Sequence, residues 1–114
     1  MGNTYHDLKA CITMHYMLYL RHLVWDEWNI SHIARHGVTP EEVEDACRAE
    51  FVHFRETYKM RLLLIGETRT GRVLAVVLGP VPDQPEGVYY PFTARPAHRS
   101  ERRDYEQLKG ESST

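Results

Sequence analysis

The stretch MRLLLIGETRTGRVLAVVLG, residues 60–79, consists of two dense apolar runs on either side of a short polar segment. Such runs are typical of strands covered on both faces, so residues 60–66 and 72–79 are predicted as two central strands of a sheet. Thr68 to Gly71 predicts the turn between them, because glycine adopts the left-handed conformation that a hairpin bulge needs. The hairpin therefore predicts a β-sheet at the centre of the fold.

The segments after this hairpin predict one more strand and a helix. Residues 80–87 hold three prolines and a glycine, a composition typical of a loop. Residues 88–94 form the last predicted strand, in which Pro91 lacks a backbone donor and indicates a bulge or a sheet edge. A closing helix is predicted over residues 98–109.

Residues 40–49, before the hairpin, are predicted as a helix with the clearest start signal in the chain. Thr39 can cap it, Pro40 has the fixed φ suited to the first position, and Glu42 completes a capping box. Residues 51–58 then alternate with period two and predict a strand. The predicted inner face of the helix consists of Val43, Ala46 and Cys47.

Residues 17–25 predict the first strand by their period-two pattern. A short helix follows, with Asp26 as its N-cap and Gly37 as the residue that ends it. Its predicted apolar stripe consists of Ile30, Ile33 and Ala34. The predicted order is β-α-α-β-β-β-β-α, an α+β fold in which a curved antiparallel sheet packs against two N-terminal helices and one C-terminal helix.

The chain has 114 residues, and its 14 Lys and Arg against 16 Asp and Glu give a formal net charge of −2. One domain is expected at this length. A slightly acidic total argues against a protein that coats nucleic acid non-specifically through many phosphate contacts. The charge is uneven, however, because the acidic excess lies before residue 51 and the basic excess after it. A local cationic site therefore stays compatible with the sequence.

Composition gives no sign of a metal centre or of export. The two cysteines show no CxxC spacing and the seven histidines form no HExxH pattern or Cys/His cluster, so reduced thiols, no metal and no cofactor are predicted. Residues 10–20 are apolar but too short to span a bilayer, which needs about 20 residues. We expect a cytoplasmic protein without membrane contact.

Met14 and Met17 stand just before the first predicted strand, which suggests that translation starts at one of them. On this hypothesis residues 1–16 are an extension that is not native to the domain, and residues 17–109 form the single domain. Residues 110–114 are predicted as a flexible tail.

Three segments resemble the BrnT family of type II toxins, namely WDEWNISHIARHGVTPEEVEDA (25–46), MRLLLIGETRTGRVLAVVL (60–78) and VYYPFTARPAHRSERRDYE (88–106). They carry a Trp-Asp start, a His-Gly-Val helix junction, an Ile-Gly…Gly-Arg hairpin and a Thr-Ala-Arg strand before a Glu-x-x-x-Tyr helix. The resemblance implies a RelE/ParE-like fold and a ribonuclease that needs no metal. It also implies a BrnA-like ribbon-helix-helix antitoxin, through which alone the toxin would meet operator DNA. His98 and Pro91 depart from the family pattern.

Cleavage of RNA by its own 2′-hydroxyl requires proton transfer and cations that stabilise the charge developing on the phosphate. Arg61, Arg72 and Arg95 are the candidate cations, because the family pattern has Arg there and a guanidinium binds phosphate bidentately. Each has a structural alternative. Arg61 and Arg72 could pair with Glu56 or Glu67 across strands, and Arg95 could anchor the last helix through Glu101.

The candidate proton-transfer groups are His36, Glu101 and Tyr105. His36 is a candidate because histidine is the residue type whose unperturbed pKa lies nearest neutrality. It also lies in the last turn of a helix, where it could cap free carbonyls. Glu101 and Tyr105 could transfer protons or merely support Arg95 and the sheet. His53 and His98 are weaker candidates.

Arg99, Arg102 and Arg103 form a basic stretch that could bind RNA or could be a solvated helix face. Trp25 and Trp28 are expected in the core. The aromatic residues of the last strand are expected to pack on both of its faces.

The resemblance thus implies a ribonuclease toxin neutralised by an antitoxin that covers its cationic cleft. A non-catalytic binding or structural module of the same fold is the alternative.

Overall fold

The computed structural model of the chain describes residues 11–13 and 16–112. Its elements in chain order are β1 (Cys11–Thr13), β2 (Tyr16–Leu18), β3 (His22–Leu23), α1 (Glu27–Ala34), α2 (Pro40–Cys47), β4 (Val52–Glu56), a 3₁₀ turn (Tyr58–Met60), β5 (Leu62–Glu67), β6 (Val73–Pro80), β7 (Val88–Pro96) and α3 (Arg99–Ser112). Most of the predicted extension, including Met14, lies outside the described residues, and so does the end of the predicted tail. Gly110 continues the last helix.

The central sheet has five strands in the order β3-β7-β6-β5-β4. The predicted α+β class is confirmed, but the sheet is mixed rather than antiparallel, because β3 pairs parallel to β7 through His22 and Val88. The predicted first strand also divides in two, since β2 pairs with β1 and only β3 joins the central sheet. The chain turns between them where the N–H groups of Arg21 and His22 both donate to the Gly87 carbonyl.

Helices α1 and α2 cover one face of the sheet, which is called the covered face here. The predicted inner side of α2, Val43, Ala46 and Cys47, is confirmed as buried. Helix and sheet approach closely at Gly66, where a Cβ atom would collide with the Ala46 carbonyl oxygen. Backbone-to-backbone contact of this kind leaves no room for a side chain.

Both predicted helix starts are confirmed. Thr39 Oγ1 accepts from the Glu42 N–H at 3.2 Å while the Thr39 N–H donates to Glu42 Oε1 at 3.1 Å. Asp26 and Asn29 form the same reciprocal box at the start of α1. Gly37 ends α1 with φ 72°, and its N–H donates to the Ala34 carbonyl.

The predicted inner face of α1 is wrong for two of its three residues. Ile33 is buried, but Ile30 and Ala34 are exposed, and the other buried residue of α1 is Asn29. Its Nδ2 donates to the carbonyls of Val24 at 3.0 Å and Pro91 at 3.1 Å. A polar side chain occupies this core position because it satisfies backbone groups that the sheet leaves unpaired.

The opposite face of the sheet is only half covered. Helix α3 packs over the end near Ile65 and Ala75, through Tyr105. The predicted bulge at Pro91 is confirmed: Val77 pairs with Thr93 but the next residue, Leu78, pairs with Pro91, so that Phe92 is the extra residue of β7. Pro91 does not mark a simple edge strand, since β7 lies between β6 and β3.

The predicted strand 51–58 ends at Glu56, and the hairpin to β5 closes through the 3₁₀ turn. Lys59 and Met60 have φ of 61° and 63°. The left-handed region costs a residue other than glycine about 1–2 kcal/mol. The backbone of this turn is therefore strained at two successive residues. Among the described residues, no helix is both long and apolar enough to cross a bilayer.

Candidate functional site

The uncovered part of the sheet, called the open half-face here, is built by strands β4 to β7. One row of paired residues crosses all four strands, and every member is at least partly accessible to solvent: Arg55, Leu63, Val77 and Thr93. In the neighbouring row Ile65 and Ala75 are buried beneath α3. The open half-face also carries Arg61, Phe92 and Arg95, as their contacts show below.

Arg95 ends this surface next to α3 and is held by Glu101. Its Nη1 donates to Glu101 Oε1 at 2.8 Å and its Nη2 to Oε2 at 3.0 Å. Glu101 Oε1 also accepts the His98 N–H at 2.8 Å, which is half of a capping box at the start of α3. The predicted anchoring of the helix through this pair is confirmed.

The pair changes the acidity of both groups. The hydrogen bond from Arg95 lowers the pKa of Glu101 to about 2. Burial acts in the opposite direction, and the hydrogen bond from the His98 N–H adds to the lowering. The same bond raises the pKa of Arg95. Glu101 is therefore a carboxylate at neutral pH and cannot serve there as a proton donor.

Arg95 keeps donors for another ligand. Glu101 occupies the edge between Nη1 and Nη2, and the other Nη1 hydrogen points to the Pro96 carbonyl at 3.4 Å. The Nε–H and the second Nη2 hydrogen lie side by side on the remaining edge and donate to no residue in the described part of the chain. This edge can bind an oxyanion bidentately.

Arg61 lies over an aromatic ring of the same surface. Its Cζ is 3.8 Å from the ring centroid of Phe92, a cation–π contact. The ring fits against the sheet because of Gly79, where a Cβ atom would collide with Phe92 Cε2. The alternative pairing of Arg61 with Glu56 does not occur among the described residues.

Arg72 lies on the covered face and is not brought together with Arg61 and Arg95. Its Nη1 donates to both oxygens of Glu42, at 2.9 and 3.0 Å, and to the Gly37 carbonyl at 2.9 Å. Burial would raise the pKa of Glu42, but hydrogen bonds from Arg72 and the Thr39 N–H outweigh it and lower that pKa. Arg72 thus fixes the junction of α1 and α2.

His36 is exposed at the end of α1, away from the open half-face. Its ring meets His32 edge-on at 5.8 Å, and His32 stacks on Trp28 at 4.8 Å. The side chain that reaches a carbonyl at this helix end is Arg72, not the predicted His36. The core prediction is wrong for Trp28, which is 57% exposed.

Trp25 does pack on the core, as predicted, and its Nε1 donates to Glu44 at 3.0 Å. Tyr105 is also buried, only 1% exposed, and its hydroxyl donates to the Phe51 carbonyl at 3.2 Å. Tyr105 therefore holds α3 against the sheet through its buried ring and its hydroxyl group. Burial raises the pKa of Cys47 to about 12, so this thiol stays protonated.

The three arginines of α3 are all exposed: Arg99, Arg102 and Arg103. Arg99 and Arg103 are each two residues from Glu101 and therefore lie on the opposite side of the helix from it. Arg102 Nη1 reaches back to the Ala97 carbonyl at 3.4 Å.

Sequence reasoning missed Arg55 and the aromatic support of Arg61, and it ranked His53 low. Alternation along β4 puts Arg55 and His53 on the same face, which was the available signal. Burial lowers the pKa of His53, and the positive charge of Arg55 lowers it further. The negative charge of Asp104 raises this pKa but does not outweigh the other two effects. His53 pairs in a row with Arg95 three strands away, about 14 Å at ordinary strand spacing, which separates it from the Arg95 site.

In the described residues, no three His, Cys, Asp or Glu side chains are grouped to hold a metal ion. The remaining chemistry is that of guanidinium groups and an aromatic ring on an accessible sheet surface.

The chain matches no model of a known protein family, and a search of curated proteins finds no significant match.

Proposed function

We propose that this chain is a BrnT-like ribonuclease toxin with a RelE/ParE-like fold that acts in the cytoplasm. The observation that carries the proposal is the combination of Arg61 and Arg95 on the open half-face. Arg95 keeps one edge unengaged by described residues, and Arg61 is supported by the Phe92 ring. Each can bind an RNA phosphate. Arg61 lies four residues before Ile65, which is in the same row as Arg95, so the two backbone positions are about 16 Å apart and the arginines would contact different phosphates of one strand.

In the proposed reaction the RNA 2′-oxygen attacks the adjacent phosphorus atom. Solvent water takes the proton of the 2′-hydroxyl and supplies one to the departing 5′-oxygen. The bond to the 5′-oxygen breaks, which leaves a 2′,3′-cyclic phosphate and a free 5′-hydroxyl. Negative charge grows on the phosphate oxygens during this step, and guanidinium groups held in place stabilise it. Glu101 acts as a positioning residue for Arg95, since its own pKa is about 2.

The proposed partner is a BrnA-like ribbon-helix-helix antitoxin that covers the open half-face. Half-buried apolar residues between the arginines, Leu63 and Val77, would give such a partner surface to bury. Operator DNA would be bound by the antitoxin alone.

One observation, the Arg95–Glu101 pair, also fits the alternative function, a non-catalytic module of the same fold. A guanidinium that already has a carboxylate partner is as useful for anchoring a helix as for binding phosphate. Tyr105 is buried between α3 and the sheet, so it adds no reactive group to the accessible surface.

The test compares arginines of the two faces. Arg95→Ala and Arg61→Ala are each expected to lower the rate of RNA cleavage by about 100-fold or more, the usual effect of losing a group that stabilises transition-state charge. Arg72→Ala is the matched control and is expected to lose stability but keep the cleavage rate of its folded fraction. The measurement is cleavage of an RNA oligonucleotide by purified protein, with circular dichroism to confirm folding.

Expression of the wild type without antitoxin should also degrade cellular RNA and stop growth. Wild-type protein that leaves RNA intact in both assays would contradict the enzyme and support the binding module.

A further inference from the structure

The 3₁₀ turn between β4 and β5, called the hairpin tip here, exposes large side chains on a strained backbone. Tyr58 is 79% exposed and Met60 is 77% exposed. Lys59 and Met60 both have positive φ. Nothing in the turn is buried, so packing does not account for its conformation.

Local sequence preference does not account for it either. Turns with successive residues at positive φ are ordinarily built from Asn, Asp or Gly, and this one has Lys and Met. Strained residues that persist against local preference cluster at ligand-binding and active sites. The conformation also holds the Tyr58 ring outward, with Lys59 Nζ at 5.5 Å from its centroid.

The hairpin tip is continuous with the open half-face. Arg61 follows it directly, and the Arg61 N–H donates to the Tyr58 carbonyl at 3.3 Å while the Thr57 N–H donates to the Arg61 carbonyl at 2.6 Å. These bonds close the backbone of the turn, so Tyr58 and Arg61 leave it at neighbouring points. A ligand that reaches both must combine an anionic group with a flat ring.

We propose that the hairpin tip binds a nucleobase of the RNA substrate, by stacking on Tyr58, next to the phosphate on Arg61. The inference rests on the proposed function and deepens it. Residues 55–61 hold three cations, Arg55, Lys59 and Arg61, and one carboxylate, Glu56. This local positive charge favours a polyanion over a protein. Base–aromatic stacking tolerates any base, so Tyr58 would add affinity and select single strands over duplexes.

The experiment measures binding of a fluorescent single-stranded RNA with 2′-O-methyl groups, which the protein cannot cleave. Tyr58→Ala is expected to weaken binding about 5- to 100-fold, the usual effect of removing one stacking ring. Tyr58→Phe keeps the ring and should stay within about threefold of the wild type. Arg69→Ala is the matched control, because it removes an exposed cation from the turn between β5 and β6.

Folding is checked by melting temperature, which these exposed substitutions should leave unchanged. If Tyr58→Ala binds as tightly as a wild type that binds and cleaves RNA, the inference is wrong and the proposed function stands. If the wild type binds no RNA, both are wrong. If Tyr58→Ala keeps RNA binding but escapes the antitoxin, the hairpin tip is a protein-docking surface and the inference is overturned.

Discussion

Gly66 and Gly79 lie on neighbouring strands and show how differently the two faces of the sheet use a missing side chain. At Gly66 the backbone of α2 rests directly on β5, and at Gly79 the ring of Phe92 rests on β6. The first contact joins two backbones, and the second supports the side chain on which Arg61 lies. The covered face is thus built for packing, whereas the open half-face is built to present a cation.

The arginines of the two faces differ in the same way. Arg72 and Arg95 are each paired with a glutamate, so pairing alone does not separate a structural from a functional arginine. Arg72 also donates to the carbonyl at the end of α1, which ties it to the fold. Arg95 has Arg61 on its own accessible surface and an unengaged edge among the described residues.

The largest expected effect is that of Gly66→Ala. The new Cβ atom would meet a carbonyl oxygen that belongs to a helix backbone and cannot move aside, and overpacking of this kind costs about 3 kcal/mol or more. Urea denaturation should show the loss in unfolding free energy. Gly110→Ala is the control, because no heavy atom lies within 4 Å of its added Cβ, and a variant at Gly66 that is as stable as this control would contradict the close contact.

The next effect concerns the Arg95–Glu101 pair and acid. Because folding lowers the pKa of Glu101 from 4.5 to about 2, its contribution is full above pH 4.5 and is lost as the pH falls towards 2. Glu101→Gln should therefore cost about 3 kcal/mol of unfolding free energy at neutral pH, and the difference from the wild type should shrink in acid. Denaturation curves across this pH range test it, and a difference that stays constant with pH would rule out the pair as its source.

Glu42→Gln is the counterpart on the covered face. It should also lower stability, because folding lowers the pKa of Glu42 as well, but RNA cleavage by the folded protein should be kept. Glu101→Gln should impair both.

Gly79→Ala has the smallest expected effect on stability, about 1 kcal/mol, because the half-exposed Phe92 ring can swing away. Arg61 then loses its support, and RNA cleavage should fall about tenfold, which corresponds to about 1.4 kcal/mol of transition-state stabilisation. A double-mutant cycle with Phe92→Ala tests the reason. If Gly79→Ala lowers cleavage equally with and without the ring, Phe92 is not the link.

Local capping chemistry made the helix starts predictable from the sequence. Thr39, Pro40 and Glu42 act within one helical turn, and Asp26 acts within one turn of Asn29. Each start signal is therefore complete in a few residues. The bulge was predictable for the same reason, since Pro91 removes a donor wherever the strand lies.

Long-range contacts were not predictable in this way. Nothing near His22 in the sequence indicates a parallel partner in β7, and nothing near Asn29 indicates that the Pro91 carbonyl needs a donor. The candidate site was predicted in part, since Arg61 and Arg95 do share the open half-face. Arg72 lies on the covered face, because its neighbour Val73 points to α3 and successive residues of a strand point to opposite faces. Alternation fixes which residues share a face, but not which face a helix covers.

The most direct test of the difference between the faces is a map of RNA contacts by backbone amide NMR. Titration with the uncleavable 2′-O-methyl RNA should shift the signals of the open half-face, above all those of Arg61, Thr93 and Arg95, and leave those around Arg72 and Glu42 unchanged. Shifts centred on the covered face, or none at RNA concentrations well above those of the cleavage assay, would contradict the account.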